Sequence, residues 1–107
     1  MSLDFDLYAV RRVCVAEFNM THNLGKMADA AGLYDCLWRP DENGITTAAQ
    51  VIEPLKAGIA ALKADPDRFR PLSASNGWGT YDQFLPWLKE VLAACEANPD
   101  AEISVSR

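Results

Sequence analysis

The sequence predicts an α+β domain, with a small sheet made of N-terminal strands and a C-terminal strand packed against two long capped helices and one short helix. Three observations predict it. Apolar and polar residues alternate near both ends of the chain, at Leu3, Phe5 and Leu7 and again at Ile103 and Val105, the period of a half-buried strand. Between them two runs, TAAQVIEPLKAGIAALKADPD from Thr47 and TYDQFLPWLKEVLAACEANPD from Thr80, align without gaps at an offset of 33 positions. Each run opens with T-x-x-Q, the capping box that starts a helix, and ends at a polar residue before proline, Asp65-Pro66 or Asn98-Pro99.

The order of elements follows as β, β, α, α, α, β. Leu3, Phe5 and Leu7 give the first strand one wet face, because Asp4, Asp6 and Tyr8 alternate with them. VCVAEFNM, from Val13 to Met20, is apolar on both faces and reads as the central strand; without a Gly, Asn or Pro turn signal before it, one long bent strand and a hairpin both remain open. Asn23 is placed to cap a short helix carrying Leu24, Met27, Ala28 and Ala31, and Gly32 before Leu33 signals a Schellman-type stop. LYDCLWRPDENG reads as an ordered loop with one helical turn, leaving Leu33, Tyr34, Leu37 and Trp38 exposed or half-buried.

The long helices bury stripes of Val51, Ile52, Leu55, Ile59 and Leu62, and of Phe84, Leu85, Leu88, Val91, Leu92 and Cys95. Pro54 and Pro86 predict kinks, or a 3₁₀ first turn. The echo between the runs is read as two similarly capped helices, since two units fall short of a repeat array. Residues Pro66 to Phe69 read as a single turn, and RPLSASNGWGT as a loop in which Gly77 and Gly79 bracket Trp78. AEISVSR closes the chain as a strand at the surface or beside VCVAEF.

At 107 residues the chain fits one domain, 1–107, with one core. Ten Lys and Arg against fifteen Asp and Glu give a net charge of -5, opposite to what a phosphate backbone attracts, so nucleic acid is not an expected partner. The carboxylates alternate with Lys and Arg along the sequence, so no anionic stripe imitating DNA is expected either. No apolar run approaches the roughly 18 residues of a membrane span, and no membrane association is expected; the reading is cytoplasmic. The Asn19-Met20-Thr21 sequon is set aside on the same ground. Cys14, Cys36 and Cys95 lack the spacing of a disulfide framework or zinc site, so reduced thiols are expected, with Cys36 in its loop the most accessible.

Candidate chemistry gathers at Phe18 to Met27, where a strand runs into a helix and Asn19, Thr21, His22 and Asn23 crowd together. If the fold brings this corner to the start of the last helix, Asn76, Trp78, Thr80 and Tyr81 join it in one pocket. Helix N-termini there would supply backbone donors for an anion. The bland alternative is that Asn23 and Thr80 only cap while Trp78 plugs the core edge. His22 could serve as a general base or orient a cysteine, but a hydrogen-bonded structural role is preferred because no cysteine lies in a nucleophile setting. Trp38 and Arg39 form a second candidate, stacking a planar ligand and forking its phosphate or carboxylate, or else packing stems over the core. No paired carboxylates, phosphate loop, dinucleotide fingerprint or metal cluster is present, so no catalytic residue, cofactor or metal is expected.

THNLGKMADAAGLYDCLWRP, NGWGTYDQFLPWL and ANPDAEISVSR together resemble a set of short proteins encoded by bacteriophages and prophages, from about Val13 to the end. The resemblance implies a phage context and the host cytoplasm, and carries over no catalytic residues. The functional expectation is a non-enzymatic, phage-type accessory protein that binds a small polar or anionic ligand, a nucleotide-like signal among the candidates, at paired helix N-termini, in a counter-defence role. Open sheet edges favour a homodimer. The alternatives are a protein-interaction or inhibitor module facing a host protein, and a small Cys/His enzyme.

Overall fold

The computed structural model describes residues 1–8 and 13–107; the connection across 9–12, with Arg11 and Arg12, lies outside the described residues. The chain is α+β. Strands β1 (Ser2–Tyr8), β2 (Cys14–Thr21) and β3 (Glu102–Ser106) form a sheet of order β2-β1-β3. Helices α1 (Gly25–Ala30), α2 (Tyr34–Trp38), α3 (Ala49–Ala64), α4 (Pro66–Phe69) and α5 (Tyr81–Ala97) lie between β2 and β3 in the chain.

The alternation in β1 does what its period requires. Leu3, Phe5 and Leu7 are fully buried, and their antiparallel partners Met20, Phe18 and Ala16 on β2 share that face. The opposite face carries Asp4 and Asp6 on β1, with Glu17 directly across from Asp6. Three carboxylates, Asp4, Asp6 and Glu17, thus share one face of the sheet. Partial burial, then the charges of Glu17 and Asp4, push the Asp6 carboxyl above its ordinary range.

The strand order corrects one expectation and decides between two alternatives. The apolar segment of β2 is an edge strand and not the central one, with Val13 and Val15 turned to solvent. The C-terminal strand lies at the other edge, at the surface, and pairs with β1 and not with β2. The physical reason is that β1 alone has its apolar row fully enclosed, so it takes the middle position although it is the more polar strand by composition.

Thr21, not Asn23, caps the first helical segment: its hydroxyl accepts the Asn23 amide at 3.2 Å, starting a 3₁₀ turn (His22–Leu24) that leads into α1. The Schellman stop is as read, with Leu33 N–H on the Ala28 carbonyl at 2.7 Å and Gly32 at φ 76°. Residues 33–44, expected as an ordered loop with one helical turn, hold the five-residue α2 and in addition a 3₁₀ turn (Pro40–Asn43), and Leu33, Leu37 and Trp38 are buried rather than exposed or half-buried. Burying these side chains stabilises the segment by about 1.5 to 3 kcal/mol each, enough to order a stretch with weak local propensity.

Helices α3 and α5 pack on each other, and α5 reaches the sheet where Phe18 meets Trp87 edge-on with centroids 6.1 Å apart. Both continue as α-helix through Pro54 and Pro86, and i→i−3 bonds of 3₁₀ type from Gln50, Val51 and Gln83, each at 3.1 Å, mark their starts. Ile52, Leu85 and Leu92 are only half-buried, while Tyr81 and Trp87 join the core. The capping box at Thr80 is complete. That at Thr47 is half made: Gln50 reaches back to the Thr47 amide, but the Thr47 hydroxyl caps nothing and the helix begins two residues later. There the donors of Ala48 and Ala49 are taken by the carbonyls of Ala101 and Pro99, both at 2.9 Å. Among the described residues no helix is long and apolar enough to cross a membrane.

Candidate functional site

The strand-to-helix corner and the start of α5 meet. Asn23 Nδ2 donates to the Trp78 carbonyl at 2.8 Å across 55 positions of sequence. Gly79 makes the approach possible: at φ 109° it occupies a backbone region that side chains avoid, and an added Cβ would come within 3.1 Å of both Asn23 and Thr21. Two open clefts form at the junction, one of about 560 Å³ lined by Met1, Ser2, Thr21, His22, Asn23, Asn76 and Trp78. Its neighbour, about 530 Å³, shares His22, Asn23 and Asn76 and adds Lys26, Ser73, Ser75 and the chain between them.

His22 stands at the hub. Its Nδ1 accepts the Trp38 indole N–H at 2.8 Å, so the ring presents Nε2–H as its remaining donor. The other groups repeat this asymmetry. Asn76 Oδ1 accepts the Trp78 amide at 3.0 Å, leaving its NH₂ without a partner among the described residues. Ser73 Oγ accepts the Tyr81 amide at 3.0 Å, leaving its hydroxyl proton to donate, and the Thr21 hydroxyl is in the same position. Asn23 works the other way, donating inward and leaving its carbonyl oxygen. Lys26 is exposed and makes no ion pair among the described residues. Neither cleft is lined by a carboxylate, in a chain of net charge -5.

This geometry redistributes the expected roles. Thr21, His22, Asn23, Asn76 and Trp78 are brought together. Asn19 is not among them: its amide is held on the sheet by Asp4 Oδ1 at 2.6 Å and Ser2 Oγ at 3.1 Å. Tyr81 is buried, with its hydroxyl donating to the Leu62 carbonyl at 2.6 Å, so its ring belongs to the core. Thr80 is engaged in its capping box. At the start of α5 the Tyr81 amide is on Ser73 and the Gln83 amide on Thr80, so these two backbone donors are engaged within the protein.

Trp78 does not plug the core edge, for it is 72% exposed. Trp38 is the buried one, stacked on Tyr34 with centroids 5.8 Å apart and planes at 9°, which closes that ring face to a ligand. Arg39 pairs with Glu42 at 3.0 Å, and Arg107 pairs with Asp41 at 2.7 Å beside the Trp38 carbonyl. Both arginines border a smaller cleft of about 340 Å³ that also reaches His22, but their charges are matched by the two carboxylates. The second candidate of the sequence is therefore a braced corner behind the first.

Cys36 is no nucleophile for His22: burial pushes its thiol up to about 12, and Sγ donates to the Leu33 carbonyl. Lys26, Ser73, Ser75 and Arg107 were missed by sequence reasoning. Lys26 lies one helical turn after His22, a spacing that puts both on one face and was a usable signal. The serines carried none beyond loop composition. Among the described residues no group of His, Cys, Asp and Glu is placed to hold a metal ion. Compared with known proteins, the chain matches no family model, no curated protein and no solved structure.

Proposed function

We propose that this chain is a non-enzymatic binding protein that captures a small anionic ligand in the cleft around His22. One observation carries the reading. The hydrogen bonds that build the cleft engage acceptor sites at His22, Asn76, Ser73 and Thr21 and leave each of these side chains a donor, beside a Lys26 that makes no ion pair among the described residues and with no carboxylate in the cleft lining. A concave site lined with donors beside a cation is what an anion requires, because each of its oxygens needs a donor once water is displaced. We take the capture to be an accessory or counter-defence activity in a host cytoplasm, in keeping with the resemblance to phage-encoded proteins, and the chain to be a homodimer, for which β2, at the edge of the sheet, is suited.

A second reading is favoured by Trp78, since an exposed tryptophan at a cleft mouth also suits a protein-interaction module. Native mass spectrometry of protein purified from cells separates the two. Ligand capture predicts an added mass of a small anion, lost on Lys26→Gln. A chain that carries no small molecule but holds a host protein through Trp78 would replace the first reading with the second.

A further inference from the structure

We infer that the cleft is bipartite and takes a nucleotide-type ligand, its heteroaromatic ring on the Trp78 indole and its phosphate on Lys26 and the serine hydroxyls of the 73–75 turn. This rests on the anion-capture reading and adds the ligand class. The two clefts are contiguous through His22, Asn23 and Asn76, with Trp78 lining one and Lys26 the other. Each is of the size that accommodates a drug-sized molecule.

The Trp78 end is built as a stacking platform. Its backbone is fixed on both sides, the amide by Asn76 Oδ1 at 3.0 Å and the carbonyl by Asn23 Nδ2 at 2.8 Å. Its ring is free, 72% exposed, while Trp38 and Trp87 are buried against other aromatic rings. Gly77 and Gly79 flank it without side chains that could cover either face. A rigid backbone under a free indole loses little entropy when a planar ring settles on it, and every nucleobase has a face to offer.

The opposite end suits a phosphate rather than a carboxylate. Lys26 supplies charge, Ser73 and Ser75 supply hydroxyl donors, and the Asn76 amide is free to donate between the two ends. A phosphate presents three terminal oxygens to such a set, each a strong acceptor. His22 Nε2–H, shared by both clefts, then faces the sugar joining ring to phosphate.

Isothermal titration of the full chain with the four ribonucleoside 5′-monophosphates and with ribose 5-phosphate tests the assignment, using wild type, Trp78→Ala and Lys26→Gln. At least one nucleotide should bind more tightly than ribose 5-phosphate. Trp78→Ala should weaken that nucleotide roughly 5- to 100-fold and leave ribose 5-phosphate unchanged, whereas Lys26→Gln should weaken both. Both side chains are exposed, and unchanged thermal midpoints will show that the variants fold. Ribose 5-phosphate binding that depends on Lys26, with no nucleotide binding tighter, would overturn the ring assignment while leaving anion capture standing. No binding by any of these probes would overturn both, and equal weakening of both ligands by Trp78→Ala would show that Trp78 only shapes the cleft.

Discussion

In the segment from Gly44 to Gln50, Gln50 Oε1 accepts the amides of Thr46 and Thr47 at 2.7 and 2.9 Å, and its Nε2 donates to the Gly44 carbonyl. From Gly77 to Gln83 the second glutamine does the same, accepting Gly79 and Thr80 at 3.0 and 3.1 Å and donating to the Gly77 carbonyl. Both leading glycines have positive φ, 70° and 79°. The echo in the sequence is therefore also an echo in three dimensions, one glutamine holding one loop ahead of each long helix. The surroundings differ. The first loop is stitched to β3, with Ile103 N–H on the Thr46 carbonyl and a bridge from Thr47 to Glu102. Its second residue, Ile45, is half-buried against the core. The second loop makes no backbone hydrogen bond to a strand among the described residues; it is tied to the His22 turn by Asn23, and its second residue is the exposed Trp78. The same glutamine contacts thus stand at one corner of the molecule that is closed and at another that is open as a cleft.

Making the second loop like the first gives the largest expected effect. Gly79→Thr would impose a β-branched side chain on a backbone at φ 109° and against Asn23 and Thr21. It should cost about 2 kcal/mol in urea unfolding, while Thr46→Gly should cost no more than about 1 kcal/mol. Equal losses would mean that the two loops are held by the same contacts. Next, Thr80→Ala removes a working cap and should cost about 1 kcal/mol, whereas Thr47→Ala, whose hydroxyl caps nothing, should cost only a few tenths. A loss at Thr47 matching that at Thr80 would break the distinction between complete and half-made boxes. Smaller again, Asn23→Ala removes the tie between the open loop and the His22 turn, at about 1 kcal/mol or less. Amide exchange should quicken across 76–79 and stay unchanged across 44–50; a uniform change would show that the tie is not local.

The local signals were legible because each depends on neighbours in sequence. The period of β1, the T-x-x-Q start at Thr80, the Gly32 stop and most of the α5 stripe were read from the chain, and the corner at Asn23 and the loop at Trp78 stand out there as segments that share a pocket if the fold brings them together. What failed depends on partners distant in sequence. Nothing local says that Val13 and Val15 lie on an uncovered edge, since a central strand shows the same residues. Nothing local says that the donors of Ala48 and Ala49 will meet the 99–101 backbone, which makes a Thr47 cap unnecessary.

The thiols follow the same rule. Cys36, expected to be accessible, is buried by α2, and Cys14 is the exposed one. Burial raises Cys36 to about 12 and Cys95 to about 11. Partial shielding, with the Glu17 and Asp6 charges, also lifts Cys14, so a thiol reagent should label Cys14 first and faster as pH rises above its ordinary range. Faster labelling of Cys36 would contradict the helical 33–44 segment.

The open loop and the closed loop can be compared in a single titration. ¹⁵N-resolved NMR of the chain with ribose 5-phosphate monitors both at once, together with the side-chain amide of Asn76 and the three indole N–H signals of Trp38, Trp78 and Trp87. Capture of an anion by the donor-lined cleft predicts saturable shifts at 22–26, 73–76 and the Asn76 side chain, with 44–50 unmoved. Saturable shifts centred on 44–50, or none at 22–26 and 73–76, would contradict it.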